Sequence, residues 1–144
     1  MNNIPIVVEQ LYPVPVSKAW EAITDKNQMK EWYFTIDDFE LKQGAEFNFD
    51  VNVPDGDFIY HHRCVIKEII PEKKFSHTWT HPSHSKGESL VTWSLHPVEG
   101  GTKVRLTHEG VENFADGGEN FARENYVAGW TEILGTYLKE FLAE

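Results

Sequence analysis

From Asp116 to Glu144 the chain carries one long amphipathic pattern, and that pattern limits what the rest of the chain can be. Tyr126, Trp130, Ile133, Leu134, Tyr137 and Phe141 recur at three- and four-residue steps, while Asn125, Glu132, Thr136 and Lys139 fall on the opposite side. Asp116 and Glu119 have the spacing of a capping box, which predicts a helix running from there to the end of the sequence. A helix with so large an aromatic face gains most of its stability from packing, so it needs a broad apolar surface to lie on. Strands earlier in the chain must supply that surface.

The earlier residues read accordingly. Ile4 to Tyr12 is rich in β-formers and closed by Pro13 and Pro15, predicting a first strand. Ser17 is placed to cap a helix over Lys18–Thr24, and Asp25 with Gln28 repeats the capping-box spacing for a second short helix ending near Trp32-Tyr33-Phe34. Glu46 to Val53 alternates, with Phe47, Phe49, Val51 and Val53 on one side and polar residues on the other, predicting a half-buried strand. Turn chemistry at Pro54-Asp55-Gly56-Asp57 leads into a strand over Phe58–Ile70, with Phe58, Tyr60, His62, Cys64 and Ile66 on one face. After Pro71–Lys74, Phe75–Thr80 puts Phe75, His77 and Trp79 on a common side. A polar loop over His81–Gly87 separates it from Ser89–His96, where Val91, Trp93 and Leu95 point inward. Gly100-Gly101 is hairpin chemistry, and Thr102–Glu109 returns with Val104, Leu106 and His108 inward.

Strand, two short helices, a run of antiparallel strands and one long helix make an α+β layer architecture. The expectation is a single domain over 1–144, with a sheet of six to seven strands curled by its twist around the C-terminal helix. At 144 residues such a domain can build a core without disulfides. Thirteen basic against twenty-three acidic residues give a net charge of −10, which repels phosphate backbones and anionic bilayers, so nucleic-acid partners are rejected. The single Cys64 excludes an internal disulfide and suits a reducing compartment. No segment reads as a signal peptide or a membrane span, so no membrane insertion and a cytoplasmic location are expected.

The order of elements resembles the helix-grip fold of the START-related (SRPBCC) superfamily, and within it the branch named after the activator of heat-shock ATPase in its stand-alone bacterial form. Carrying the resemblance are Ala19-Trp20, Trp32, Ile69-Ile70-Pro71, Thr78-Trp79, Val91-Thr92-Trp93 and Gly101-Thr102, with Thr107-His108-Glu109-Gly110 and Gly129-Trp130 the most specific. It covers nearly the whole chain and implies the fold. For function it implies a choice among ligand binders, cyclases and chaperone partners, since one fold hosts all three.

Candidate chemistry is sparse. His108, on an inward strand face, is either a hydrogen-bonded core histidine or a polar anchor for a ligand hydroxyl or carbonyl, and His62 and Tyr60 stand in the same position on a neighbouring strand. His77, His81 and His84 suggest a metal, but no carboxylate or cysteine with matching spacing completes the set, so no metal is expected. Cys64, between apolar strand residues, reads as packing and not as a nucleophile. There is no nucleophile elbow, phosphate-binding glycine loop or dinucleotide fingerprint, so no cofactor is expected. Arg123 is either a stripe-end residue reaching water or a cationic rim for a carboxylate. The favoured reading is non-enzymatic binding of a lipid-like or polycyclic aromatic ligand between helix and sheet. Its lining is Trp32, Phe49, Tyr60, His62, Trp79, Trp93, His108, Tyr126 and Trp130, with Arg123 at the rim. The alternatives are a chaperone-interaction module and a cyclase-like enzyme using His108 or Tyr60 as acid or base.

Overall fold

The computed structural model describes residues 5–33, 36, 38–52, 59–82, 85–117 and 123–143. Among these, strands β1 (Ile6–Tyr12), β2 (Glu46–Asn52), β3 (Ile59–Ile70), β4 (Lys74–Trp79), β5 (Ser89–Val98) and β6 (Gly101–Glu109) form one antiparallel sheet. Its spatial order is β1-β6-β5-β4-β3-β2, so the first strand closes against the last and every other neighbour is joined in sequence. Helices α1 (Val16–Thr24) and α2 (Lys26–Trp32) follow β1, and a helical run from Arg123 to Leu142 crosses the concave face. This is the α+β helix-grip architecture, with six strands among the described residues.

The alternation in the sequence is what gives the sheet a dry inner face. Register lines up Ile6, His108, Val91, His77 and Ile66 across five strands, and Leu106, Trp93 and Phe75 across three. β4 departs from the pattern, since Ser76 and Thr78 on its other face are buried as well. The pairing of β3 with β4 slips between Ile66 and Glu68, where the Thr78 hydroxyl takes the Val65 N–H at 2.8 Å in place of a backbone partner. Such a bulge bends the strand and deepens the bowl.

Gly101 begins β6 and does not sit in the turn. The turn is Glu99-Gly100, with Gly100 at φ 87°, the left-handed region that favours glycine. Gly101 is required for another reason: a Cβ there would lie 2.0 Å from the Tyr12 carbonyl oxygen where β1 crosses it.

The helices depart from expectation at their starts. α1 begins at Val16, two residues before the predicted Lys18, and Ser17 is inside it; Pro15 holds the N-cap position, with its carbonyl taken by Lys18 and Ala19 N–H groups. A proline there fixes the backbone without needing its own N–H. Asp25 does cap α2, accepting from the Asn27 N–H at 3.0 Å. At the C-terminal end, Asp116 belongs to a 3-10 helix over Val111–Gly117, and helix α3 starts only at Arg123. Glu119 lies outside the described residues. Glycines at 117 and 118 make an α-helical start at 116 costly, which the capping-box spacing could not reveal.

α3 (Arg123–Glu132) runs into a π-helical segment, Ile133–Leu138, before α4 (Lys139–Leu142). The wider winding brings four-residue steps nearer a full turn. Trp130, Leu134, Leu138 and Leu142 are therefore the buried line, while Tyr126, Ile133 and Phe141 are half-buried. Tyr137, predicted inward, is 45 % exposed. Inside the wide segment the buried Tyr12 hydroxyl donates to the Leu134 carbonyl at 2.6 Å, tying β1 to the helix.

Candidate functional site

His108 is the polar centre of the space between helix and sheet, with no exposed surface. Its Nδ1 accepts the Trp130 indole N–H at 3.0 Å. The Ser89 hydroxyl donates to the Trp79 carbonyl at 2.8 Å, so at 2.7 Å from His108 Nε2 it must accept the ring proton. Both ring nitrogens are thereby used and the ring is neutral. Burial, reinforced by the charges His77 and His81 would carry, pulls its pKa down to about 3. His77 repeats the device two strands away, on β4: its Nδ1 donates to the Thr78 carbonyl at 2.9 Å and its Nε2 accepts the Trp93 indole N–H at 3.3 Å. Burial lowers its pKa to about 4. Two indoles are thus held at fixed angles by two imidazoles.

Around these pairs the predicted lining residues do come together. Trp79 packs edge-on against Trp130 at 5.1 Å between ring centroids, and Trp93 packs against Trp130 at 5.9 Å and against Trp32 at 6.2 Å. On the β2–β3 side Phe49 stacks on His62 at 4.8 Å, and His62 meets Trp79 at 4.7 Å. Tyr126 reaches the group through His108 at 5.2 Å. The backbone of Tyr60 lies on β3, but its side chain lies outside the described residues. The Arg123 guanidinium donates to the Pro5 carbonyl at 3.4 Å, just before β1.

Besides His77, further residues of this space were not in the predicted lining. His81, considered only as a metal ligand, is buried with its Nε2 2.8 Å from the Tyr126 hydroxyl and its ring 4.7 Å from Phe114. His84 lies outside the described residues, and among those described no three His, Cys, Asp or Glu side chains group as metal ligands. Tyr33, the C-terminal cap of α2, is the more consequential omission. Its ring stacks on Trp32 at 5.0 Å and lies 6.1 Å from Trp93, 6.3 Å from Phe49 and 6.5 Å from Trp130. It fills the centre of the predicted chamber. Burial raises its phenol pKa well above the ordinary value, and the neighbouring Cys64 adds to this. Periodicity could not find it, because a helix-terminal residue takes its direction from the cap and not from the helical repeat.

Tyr33 also borders an open groove. Between α2 and the end of the C-terminal helix lies a cavity of about 520 Å³ lined by Glu31, Trp32, Tyr33, Tyr137, Glu140 and Phe141. Trp32 is fixed there by its indole N–H, which donates to the Ala22 carbonyl at 2.9 Å. The aromatic space under the helix and the groove at the surface therefore share Trp32 and Tyr33 as a common wall.

Comparison with known proteins bears on this arrangement. The profile of one family, described as Activator of Hsp90 ATPase homolog 1-like protein, matches residues 13–143. No curated protein matches by sequence. Among solved structures, protein MLL2253 from Mesorhizobium loti is 25% identical with a TM-score of 0.76, covering 97% of each chain. CV1439 from Chromobacterium violaceum superposes with a TM-score of 0.82 at 16% identity, over 100% of this chain and 99% of that one. CalU16 from Micromonospora echinospora is 20% identical with a TM-score of 0.70, over 96% of this chain and 76% of its own. Below 25% identity, as for the last two, the likeness concerns the fold.

Proposed function

We propose, from the premise that this chain belongs to the Activator of Hsp90 ATPase homolog 1-like family, that it binds a small hydrophobic ligand with a planar aromatic part. The ligand enters by the groove between α2 and the C-terminal helix and takes the place of the Tyr33 ring. One observation carries the reading: Tyr33, at a helix end, stands between Trp32, Phe49, Trp93 and Trp130 at ring distances of 5.0 to 6.5 Å, and its other side faces the groove. A planar ligand in that position makes the ring contacts Tyr33 makes now. The frame that receives it is rigid, because Trp32, Trp93 and Trp130 each have their indole N–H committed. Binding then rests on apolar burial at about 25 cal/mol per Å².

The test is a titration with naphthalene, read by tryptophan fluorescence, on the wild type and on Tyr33→Ala. Removing the ring leaves an apolar space of the kind that takes up benzene-sized molecules. The variant should bind roughly tenfold more tightly, since the ligand no longer displaces a side chain. A folded Tyr33→Ala protein that shows no naphthalene binding at saturation refutes the reading.

His108 as a cyclase-type acid or base has little to recommend it, because both ring nitrogens are engaged and its pKa is about 3. Docking to a chaperone ATPase has one observation on its side. Val7 and Leu11 are 53 % and 55 % exposed on the outer side of β1, an edge strand. Stimulation of an Hsp90-type ATPase that disappears in Leu11→Asp supports that second reading, and no stimulation by the wild type removes it.

A further inference from the structure

The groove beside Tyr33 lies between α2 and the end of the C-terminal helix. Its lining combines the rings of Trp32, Tyr33, Tyr137 and Phe141 with the carboxylates of Glu31 and Glu140. Lys30 and Lys139, next to them in sequence, do not line it. The donors of two lining rings are already spent, the Trp32 N–H on the Ala22 carbonyl and the Tyr137 hydroxyl on Glu132 at 3.1 Å. That second bond brings a further carboxylate beside the mouth. It also raises the Tyr137 phenol pKa, as expected for a donor facing an anion.

We infer that the groove binds an organic ammonium ion, an alkyl- or aryl-ammonium whose apolar part reaches into the place of the Tyr33 ring and whose cationic head lies among Glu31, Glu140 and the outer rings. Anionic ligands meet Glu31 and Glu140 in the lining, with no Lys, Arg or His among the described lining residues to offset them. A cation is attracted by the π faces of the rings and by the carboxylates. The net charge of −10 adds a long-range field of the same sign. At about 520 Å³ the space has the size of a small-ligand pocket.

This inference rests on the hydrophobic-ligand reading but fails separately from it. Phenyltrimethylammonium and tert-butylbenzene have nearly the same shape and differ in charge. Each is titrated by tryptophan fluorescence into the wild type and into a Glu31→Gln/Glu140→Gln double variant, whose exposed substitutions leave folding intact. The expected result is a preference of roughly tenfold or more for the cation in the wild type. That preference should shrink severalfold in the double variant and in 0.5 M salt, as screening of surface charges requires. Equal binding of the two probes overturns the ammonium inference and leaves the hydrophobic-ligand reading standing. Binding of neither probe to the wild type overturns the ammonium inference, and if naphthalene also fails on Tyr33→Ala the broader reading falls with it. A preference for the cation that survives the double variant places the cation elsewhere and overturns the assignment to this groove.

Discussion

Lowering the pH from 7 to 5 should remove about 4 kcal/mol of stability through two side chains, His77 and His108. Their folded pKa values lie near 4 and near 3, against 6.5 for an ordinary imidazole. Above pH 6.5 both states hold these rings neutral and the full stability is present. As the pH falls below 6.5 the unfolded chain takes up two protons that the folded one refuses, so stability falls by about 1.4 kcal/mol per pH unit for each ring. The loss continues until the pH passes the folded values. At pH 5 each ring accounts for about 2 kcal/mol, a large part of the 5–15 kcal/mol typical of a domain. Urea unfolding followed by tryptophan fluorescence at pH 7, 6 and 5 measures it, with an expected fall in midpoint of about 2 M. His108→Gln keeps a donor and an acceptor but cannot titrate, so its loss over the same range should be about half. A midpoint that does not move between pH 7 and 5 in the wild type, or a full loss in His108→Gln, refutes the claim that these rings are sealed and neutral.

Other substitutions probe the frame. Trp130→Phe deletes the donor to His108 Nδ1 and leaves a buried acceptor unmet; it should cost about 1–3 kcal/mol in urea melts and flatten the pH dependence as His108 gains access to protons. Gly101→Ala sets a Cβ against the Tyr12 carbonyl and should destabilise by more than ~3 kcal/mol or prevent folding, visible as loss of the cooperative thermal transition. Leu138→Ala should cost about 2–5 kcal/mol by opening the core, whereas Tyr137→Ala should stay within about 1 kcal/mol, the reverse of what the residues' sizes suggest.

How far the chain could be read differs by element. The strands were legible because alternation is imposed by the pleat itself: Phe47 and Phe49, Val91, Trp93 and Leu95, and Val104, Leu106 and His108 all face inward as their two-residue spacing requires. The helix stripe was legible only in part. Trp130 and Leu134 fit an ordinary α-helical repeat, but Leu138 and Leu142 are buried because the helix widens between Ile133 and Leu138. That widening accompanies a contact from Tyr12, far away in sequence. No local pattern encodes it.

The same division holds for the site. Most residues named for the lining by their faces do meet under the helix, because facing the core is a one-strand property. Tyr33 and His81 escaped, since their positions depend on where a helix ends and where a loop returns.

The sequence by itself determined the alternation of the strands, the short helices after the first of them, the closing amphipathic helix and an acidic surface. These follow from side-chain period and composition, which act residue by residue. Only the tertiary structure decided that two histidines serve as acceptors for two tryptophans, that Tyr33 stands at the centre of the aromatic space, and that carboxylates and rings share one groove at its mouth. Those facts depend on distances between side chains far apart in the chain, and such distances exist only once the helix has been laid across the bowl.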